Sequence, residues 1–226
     1  MGTLDGPGVR FVIFTQGCPL RCKCCHNPDT WAFDGGSLYT PEVLVAKALR
    51  FREYFGKEGG VTVSGGEPLM QAAFVSELFS LCYREGLHTC LDTSGCTLTP
   101  EIKDLLALTD RVLLDIKYTT DADYRAHVGC SMDAPMAFLA YLNQAHIPTT
   151  LRQVIIPTLN DSAEQVKALA RIADAHPNVD GIELLPFRKL CEVKYRDMGI
   201  AFPLSDVPEP TAESMKMLER VIADAP

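Results

Sequence analysis

Residues 9–25 read VRFVIFTQGCPLRCKCC, an apolar run followed at once by a loop rich in cysteine. The run at 9–15 is dominated by β-branched and aromatic residues, which predicts a buried strand. The loop then supplies Cys18, Cys22 and Cys25 at C-x3-C-x2-C spacing. Three thiolates can hold three corners of a [4Fe–4S] cube and leave one iron open, whereas electron-transfer clusters are closed by a fourth ligand. The spacing therefore favours an enzyme with chemistry at a cluster.

Two other interpretations of the same loop remain open at this point. In the first, Cys18, Cys22 and Cys25 join Cys24 or His26 in a tetrahedral structural zinc site. In the second, the thiols are reduced and packed in the core, where free cysteine behaves as a small apolar residue. The rest of the sequence is needed to choose among these three interpretations of the loop.

Strand-like and helix-like runs alternate along the rest of the chain. The strand-like runs are 9–15, 60–64, 88–93, 111–116, 149–156 and 181–186. The helix-like runs are 41–55, 71–85, 100–108, 134–144, 162–175 and 211–223. Apolar strands that alternate with helices imply a parallel sheet covered by helices. Because there are six units and a closed TIM barrel has eight, we predict an α/β fold of the partial, TIM-like (β/α)6 barrel type.

Composition narrows the class of protein. The chain has 226 residues, of which 47% are hydrophobic, so one large domain over residues 1–226 is expected. Nine cysteines without a secretory segment predict a reducing, cytoplasmic location, and no apolar run is long enough to span a membrane. A net charge of −8 disfavours a nucleic-acid partner. Motif-like sequence begins at Asp5, which suggests a shortened or processed N-terminus.

Charged residues and glycines recur where the predicted strands end. Parallel α/β folds place their active sites at these carboxyl ends. The residues concerned are Gly65, Gly66, Glu67, Asp92, Asp115, Lys117, Arg152 on the fifth strand, and Arg188. Each could be an ordinary surface charge or turn residue when taken alone. Together they place carboxylates and cations at the barrel mouth that also carries the three thiols.

Six sequence blocks follow one another in a recognisable order. They are DGPGVRF at 5–11, the cysteine loop with its tail CHNPDTW at 25–31, SGGEP at 64–68, DTSG at 92–95, LDIK at 114–117 and ELLPF at 183–187. Taken together, the blocks resemble the radical S-adenosylmethionine (SAM) superfamily, and within it the activating enzymes of glycyl-radical enzymes. The resemblance covers nearly the whole chain.

The resemblance implies a set of cofactors and an activity. Cys18, Cys22 and Cys25 would ligate a [4Fe–4S] cluster, and SAM would chelate its open iron. Reductive cleavage of SAM would yield a 5′-deoxyadenosyl radical, which would abstract a Cα hydrogen from a glycine of a partner glycyl-radical enzyme. The resemblance also implies a set of SAM contacts. Gly65, Gly66 and Arg152 would contact SAM, Glu67 would pair with its ammonium, and Arg188 would lie at the ribose. Asp92, Asp115 and Lys117 would contact SAM or a monovalent cation near its carboxylate.

The resemblance also predicts the organisation of the chain and its partners. Residues 26–64, between the cysteine loop and Gly65, contain no cysteine. A single cluster on loop 17–31 is therefore expected, without the ferredoxin-like insertion of some activating enzymes. A flavodoxin or ferredoxin would donate electrons and would dock at Arg21 and Lys23. Residues 5–8 would form a floor for the glycine loop of the partner enzyme. A monomer would suit docking onto this larger partner.

Two positions depart from the family pattern. Cys24 stands where an aromatic residue is usual, and Arg188 stands where relatives often carry histidine. Two alternative functions are also kept: a radical SAM enzyme for a small molecule, such as a deazaguanine-forming synthase, and a zinc-binding scaffold. The block at 5–10 and Trp31 favour the activating enzyme over the first. The charges at the strand ends favour either enzyme over the scaffold.

Overall fold

A computed structural model describes residues 1–224 and shows one six-stranded parallel sheet in sequence order. The strands are β1 (Arg10–Thr15), β2 (Gly60–Gly65), β3 (His88–Thr93), β4 (Arg111–Asp115), β5 (Thr149–Ile155) and β6 (Val179–Pro186). Each strand pairs in parallel with the next, from β1 through β6. The sheet is open between β1 and β6, so the predicted partial barrel is confirmed.

Helices connect each strand to the next, as the crossover of a parallel pair requires, and two more helices follow β6. They are α1 (Pro41–Leu49), α2 (Arg52–Phe55), α3 (Ala72–Arg84), α4 (Pro100–Leu106), α5 (Asp121–His127), α6 (Asp133–Gln144), α7 (Ala163–Asp174), α8 (Glu192–Asp197) and α9 (Ala212–Ala223). The side chains of Thr40, Thr99 and Ser162 each accept a hydrogen bond from the first turn of the following helix, as N-caps do. These caps fix where α1, α4 and α7 begin.

The predicted helix at 41–55 is wrong as a single element, because the chain leaves helical geometry at Phe51. Phe51 has φ −111° and ψ 8°, and its ring stacks on Phe11 of β1 with centroids 5.9 Å apart. This contact with the sheet separates α1 from α2. The short helices α5 and α8 were not predicted, since they are rich in charge and lack a long apolar period.

Two large groups of buried side chains position the site. The first lies between the sheet and its covering helices and contains the apolar side chains of the central strands. The second surrounds the cysteine loop, and we call it the loop core. Its buried members are Cys22, Cys24, Tyr118, Tyr124, Val128, Ile156, Phe187, Cys191, Tyr195, Phe202 and Leu204. The loop is thus embedded in protein on one side.

Arg10 fills the opposite end of the barrel, at the start of β1. Its side chain is fully buried and donates to the Thr62 hydroxyl at 2.9 Å and to the Val61 carbonyl at 2.6 Å. The Thr62 hydroxyl in turn donates to the Asp5 carbonyl at 2.7 Å. This relay fixes Asp5, the first residue of the predicted floor segment, against the sheet.

No helix within residues 1–224 is both long enough and apolar enough to cross a lipid bilayer.

Candidate active site at the carboxyl ends of the strands

One cavity of about 280 Å³ lies at the carboxyl ends of the strands. Every predicted site residue except Arg188 lines it. These residues are Cys18, Cys22, Cys25, Gly65, Gly66, Glu67, Asp92, Asp115, Lys117 and Arg152. The parallel sheet brings them together because all of its strands end at the same edge.

The cysteine loop is closed on itself by backbone hydrogen bonds. The Gly17 amide donates to the Thr30 carbonyl at 2.8 Å, and the Cys25 amide donates to the Cys22 carbonyl at 3.1 Å. Burial raises the pKa of the Cys22 thiol, while the positive charge of Lys117 lowers it. The thiol is therefore protonated without a metal, and binding of iron would release the proton.

The donor set fits an iron–sulfur cluster, because Cys18, Cys22 and Cys25 all line the cavity. His26, one candidate fourth ligand, uses its Nε2 in a 2.9 Å hydrogen bond with the Arg188 carbonyl. Three soft thiol ligands around an open cavity suit an iron–sulfur cluster with one exposed iron.

The turn after β2 crosses the start of the cysteine loop at very close range. The Gly66 amide donates to the Thr15 carbonyl and the Glu67 amide donates to the Gly17 carbonyl, both at 2.9 Å. A Cβ on Gly66 would lie 2.5 Å from the Gly17 carbonyl oxygen. Gly65 has φ +99°, a conformation that favours glycine. The two glycines are therefore needed for the packing of the chain itself, whatever ligand also approaches them.

Replacing Gly66 by alanine is expected to push the turn away from the cysteine loop. We expect the free energy of unfolding to fall by about 1–3 kcal/mol, the range for overpacking, and iron content after reconstitution to fall with it. Denaturant unfolding of the apo-protein and iron analysis measure both. The matched control is Gly181→Ala, because its Cβ would meet only ordinary contacts at 3.8 Å. Equal stability of the two variants would contradict this account of the turn.

The Glu67 carboxylate is fully used by donors of the protein. The side chain is only 1% exposed. One oxygen accepts from the Leu69 amide at 3.1 Å and the Thr93 hydroxyl at 2.6 Å, and the other accepts from the amide and hydroxyl of Ser94. A carboxylate offers about four acceptor positions. The contact with an ammonium group stays a prediction, whereas these bonds tie the glycine turn to the end of β3.

Charges of both signs meet on the sheet side of the cavity. Arg152 Nη1 lies 3.3 Å from Asp92 Oδ2, and Lys117 Nζ lies 2.8 Å from Asp115 Oδ2. Burial raises the pKa of Asp92 to about 6, although Arg152 opposes that shift. Burial would lower the pKa of Lys117, but the Asp115 carboxylate raises it, so the amine stays charged. A ligand that carries both cationic and anionic groups, as SAM does, suits these surroundings.

The structure does not bring the Arg188 side chain into the cavity. Its guanidinium pairs with the Glu209 carboxylate at 2.8 Å, and that carboxylate also accepts from the Lys189 amide. The predicted ribose contact is therefore not supported by this position. His26 lines the cavity instead, and it was considered from the sequence only as a zinc ligand. The position of His26 directly after Cys25 was the sequence signal that could have placed it at the cavity.

Comparison with known proteins gives the family. The Radical SAM superfamily matches residues 12–171. A pyruvate formate-lyase-activating enzyme of Clostridium pasteurianum is 41% identical over 225 residues, which cover 99% of this chain and 94% of the relative. The chain belongs to the radical SAM family of pyruvate formate-lyase-activating enzymes. The pyruvate formate-lyase 1-activating enzyme of Escherichia coli (strain K12) is 39% identical over 224 residues, 98% of this chain and 91% of that relative.

Solved structures agree with this membership at the level of the fold. A domain of the Bacteroides vulgatus pyruvate-formate lyase-activating enzyme matches with a TM-score of 0.61 at 20% identity, over 74% of this chain and 94% of that one. Streptococcus suis SuiB bound to S-adenosylmethionine matches with a TM-score of 0.73 at 15% identity, over 96% and 47%. As a radical SAM protein, the chain uses a [4Fe–4S] cluster and SAM. The zinc scaffold is therefore not its function.

Proposed function

We propose that this chain activates a glycyl-radical enzyme, and that this enzyme is pyruvate formate-lyase. The observation that carries the proposal is the cavity that joins the three loop thiols to the charged strand ends. The family membership supports the same reaction, and the absence of cysteine from residues 26–64 fits an activating enzyme with one cluster. The relatives reported above are activating enzymes of pyruvate formate-lyase, which favours a protein substrate over a small molecule.

The chain holds and orients the cofactors in this proposal. Cys18, Cys22 and Cys25 ligate the cluster, and the turn at Gly65 and Gly66 borders the methionine part of SAM. When bound, the cluster supplies the electron that splits SAM into methionine and a 5′-deoxyadenosyl radical, which takes the glycine Cα hydrogen. Fixed orientation of reacting groups lowers the barrier of such a step.

Arg152 and Lys117 are both paired with carboxylates beside the cavity. Arg152 lies 3.3 Å from Asp92 through Nη1 and 3.4 Å from Glu183 through Nε, although its Nε makes no hydrogen bond within residues 1–224. Lys117 donates a hydrogen bond to Asp115. We propose that Arg152 contacts the SAM carboxylate or the backbone of the substrate loop, and that Lys117 mainly sets the positive potential beside the thiols.

Asp92 and Asp115 are proposed to hold a monovalent cation near the SAM carboxylate. Both carboxylates line the cavity, and hard cations prefer oxygen ligands. Burial raises the pKa of Asp92 even though Arg152 lies beside it, so a further cation would stabilise the charged carboxylate. SAM should then bind more tightly in potassium or sodium buffer than in a buffer of a bulky organic cation. Equal affinities would contradict the cation site.

The open side of the sheet is the proposed entrance for the substrate glycine. Phe14 of β1 is 57% exposed and lines the cavity, as do Asp5 and Leu185. A glycine suits this position because no side chain blocks the Cα hydrogen and the resulting radical is delocalised over the backbone.

We further propose that residues 1–226 form one domain and that the protein is a monomer in the cytoplasm. Residues 5–8 are proposed to form a floor for the glycine loop of the partner.

The electron donor is proposed to be an acidic flavodoxin or ferredoxin. Arg21 and Lys23 are the cations on the cysteine loop itself, and the Arg21 guanidinium lies 5.0 Å from the ring centre of Trp31. Complementary charge would speed the encounter with an acidic partner more than it would tighten the complex. These two cations define the proposed docking position.

Anaerobic turnover tests the proposed chemistry. The chain is reconstituted with iron and sulfide, reduced, and incubated with SAM, and methionine and 5′-deoxyadenosine are quantified. We expect a brown protein and the two products in equal amounts. A colourless protein, or a brown protein that forms neither product under reducing conditions, would contradict the proposed function.

A further inference from the structure

The end of the cysteine loop, residues 25–31, forms one wall of the cavity, and we call it the tail. The tail residues that line the cavity are Cys25, His26, Asn27, Thr30 and Trp31. Among these five residues, only Asn27 carries a carboxamide, which offers two N–H donors and one acceptor oxygen. The direction of this carboxamide decides which of its groups a ligand in the cavity meets.

The Asn27 side chain is not used by its own turn. Asn27 directly precedes the short 3-10 turn Pro28–Thr30, where an asparagine side chain commonly accepts a hydrogen bond from a backbone amide. Here the side chain makes no such bond. The backbone carbonyl of Asn27 accepts instead, from the Thr30 amide at 2.9 Å and the Thr30 hydroxyl at 2.7 Å. The carboxamide is therefore available for partners outside the turn.

Lys194, on α8, fixes the oxygen of this carboxamide. Lys194 Nζ donates to Asn27 Oδ1 at 2.8 Å and to Asp29 Oδ1 at 2.9 Å. An ammonium group only donates hydrogen bonds, so the atom of Asn27 that faces it is the oxygen and not the nitrogen. The Nδ2 group, with both donors of the carboxamide, therefore points away from Lys194.

The rest of the tail is held from the same side of the chain. The Tyr195 hydroxyl donates to the Cys25 carbonyl at 3.3 Å, and the Trp31 ring meets the Tyr195 ring edge-on with centroids 5.8 Å apart. The His26 ring is hydrogen-bonded to the Arg188 carbonyl at 2.9 Å. Asn27 thus stands on a wall that is fixed before a ligand arrives, and a donor fixed in advance loses little entropy on binding.

The chemistry of the tail suits the nucleoside part of SAM. The tail presents the rings of His26 and Trp31 to the cavity, and no Asp, Glu, Lys or Arg side chain of the tail lines it. An adenine base and a ribose likewise combine apolar faces with uncharged acceptors. The ribose contact expected of Arg188 is missing, because that side chain pairs with Glu209 outside the cavity. A neutral donor on the tail would replace it.

We propose that the Asn27 Nδ2 group donates a hydrogen bond to an acceptor of the nucleoside part of SAM, and that Lys194 is the positioning residue that directs it there. This role rests on the proposed function, since SAM is the ligand that Asn27 contacts. The bond orients the nucleoside end of SAM from the tail, while the charged groups on the sheet side of the cavity remain for its ammonium and carboxylate.

The decisive variant is Asn27→Asp, which keeps the shape of the side chain and its acceptor for Lys194 but removes both donors. Its apo-protein should melt at or above the wild-type temperature, because Lys194 gains a charged acceptor. After reconstitution, the Kd for SAM, measured by equilibrium dialysis without reductant, should rise about tenfold. The matched control is Asp29→Asn, which changes the other acceptor of Lys194 and should leave this Kd unchanged. Equal SAM affinity of Asn27→Asp and the wild type would overturn the proposal.

Competition against labelled SAM tests which part of the ligand Asn27 contacts. In Asn27→Asp, 5′-deoxyadenosine should compete about tenfold more weakly than in the wild type, whereas competition by methionine should not change. A loss confined to methionine would overturn the assignment to the nucleoside part.

A double-variant cycle tests the positioning role of Lys194. Lys194→Met should weaken SAM binding, and Lys194→Arg should restore most of the affinity. Added to Asn27→Ala, Lys194→Met should cause no further loss, because its effect acts through Asn27. Losses that simply add would overturn the positioning role. If the wild type itself binds neither cluster nor SAM, the proposed function fails; if only Asn27→Asp binds SAM like the wild type, this inference alone fails.

Discussion

Replacing Cys22 by alanine is expected to abolish SAM cleavage, with 5′-deoxyadenosine at the level of the no-enzyme control. Two remaining thiolates cannot hold a cube that needs three protein ligands. The apo-protein should stay folded, with a loss of about 1–2 kcal/mol because the removed sulfur is small and buried. Product analysis and thermal unfolding of the apo-protein measure the two effects separately.

Cys24→Ala is the matched control, because it lies in the same loop and both thiols are 8% exposed. Cys24 packs in the loop core and is not part of the three-cysteine pattern. This variant should therefore keep its cluster and its SAM cleavage. Cleavage retained in Cys22→Ala but lost in Cys24→Ala would show that the ligand set has been assigned to the wrong cysteine.

Replacing Glu67 by glutamine is expected to lower both stability and activity. The NH2 nitrogen of glutamine donates hydrogen bonds and cannot accept them, so the two donors that face it would lose their acceptor. Each unpaired buried donor costs about 1–3 kcal/mol, so we expect a loss of about 2–4 kcal/mol in the free energy of unfolding. Because the glycine turn and the end of β3 would shift, kcat for SAM cleavage should also fall.

Denaturant unfolding of the apo-protein distinguishes this role from a contact with SAM. Glu77→Gln, at an exposed position of nearby α3, is the control and should change the stability by less than about 0.5 kcal/mol. If Glu67 mainly bound the ammonium of SAM, the apo-protein would keep its stability and only the affinity for SAM would fall. That result would contradict the positioning role.

The strands were predictable because buried parallel strands give short, continuous apolar runs. All six were found, with ends that differ by at most two residues. The break between α1 and α2 was not predictable, since it depends on Phe51 meeting Phe11, a contact between distant parts of the chain. The charged helices α5 and α8 carry no long apolar period that a sequence pattern could detect.

The site was predictable wherever strand topology alone decides it. Thiols, glycines and charges at the strand ends share one cavity because parallel strands end at one edge. The Arg188 side chain lies outside the cavity because it pairs with Glu209, which belongs to a later segment of the chain. The partners of Glu67 depend on how the turn after β2 packs on the end of β3.

The most direct test of the central claim mixes the reduced, SAM-loaded protein with pyruvate formate-lyase under anaerobic conditions and records the electron paramagnetic resonance spectrum. We predict the doublet of a glycyl radical on pyruvate formate-lyase, dependent on SAM and absent with Cys22→Ala. Formation of 5′-deoxyadenosine without any doublet would contradict the assignment of pyruvate formate-lyase as the substrate.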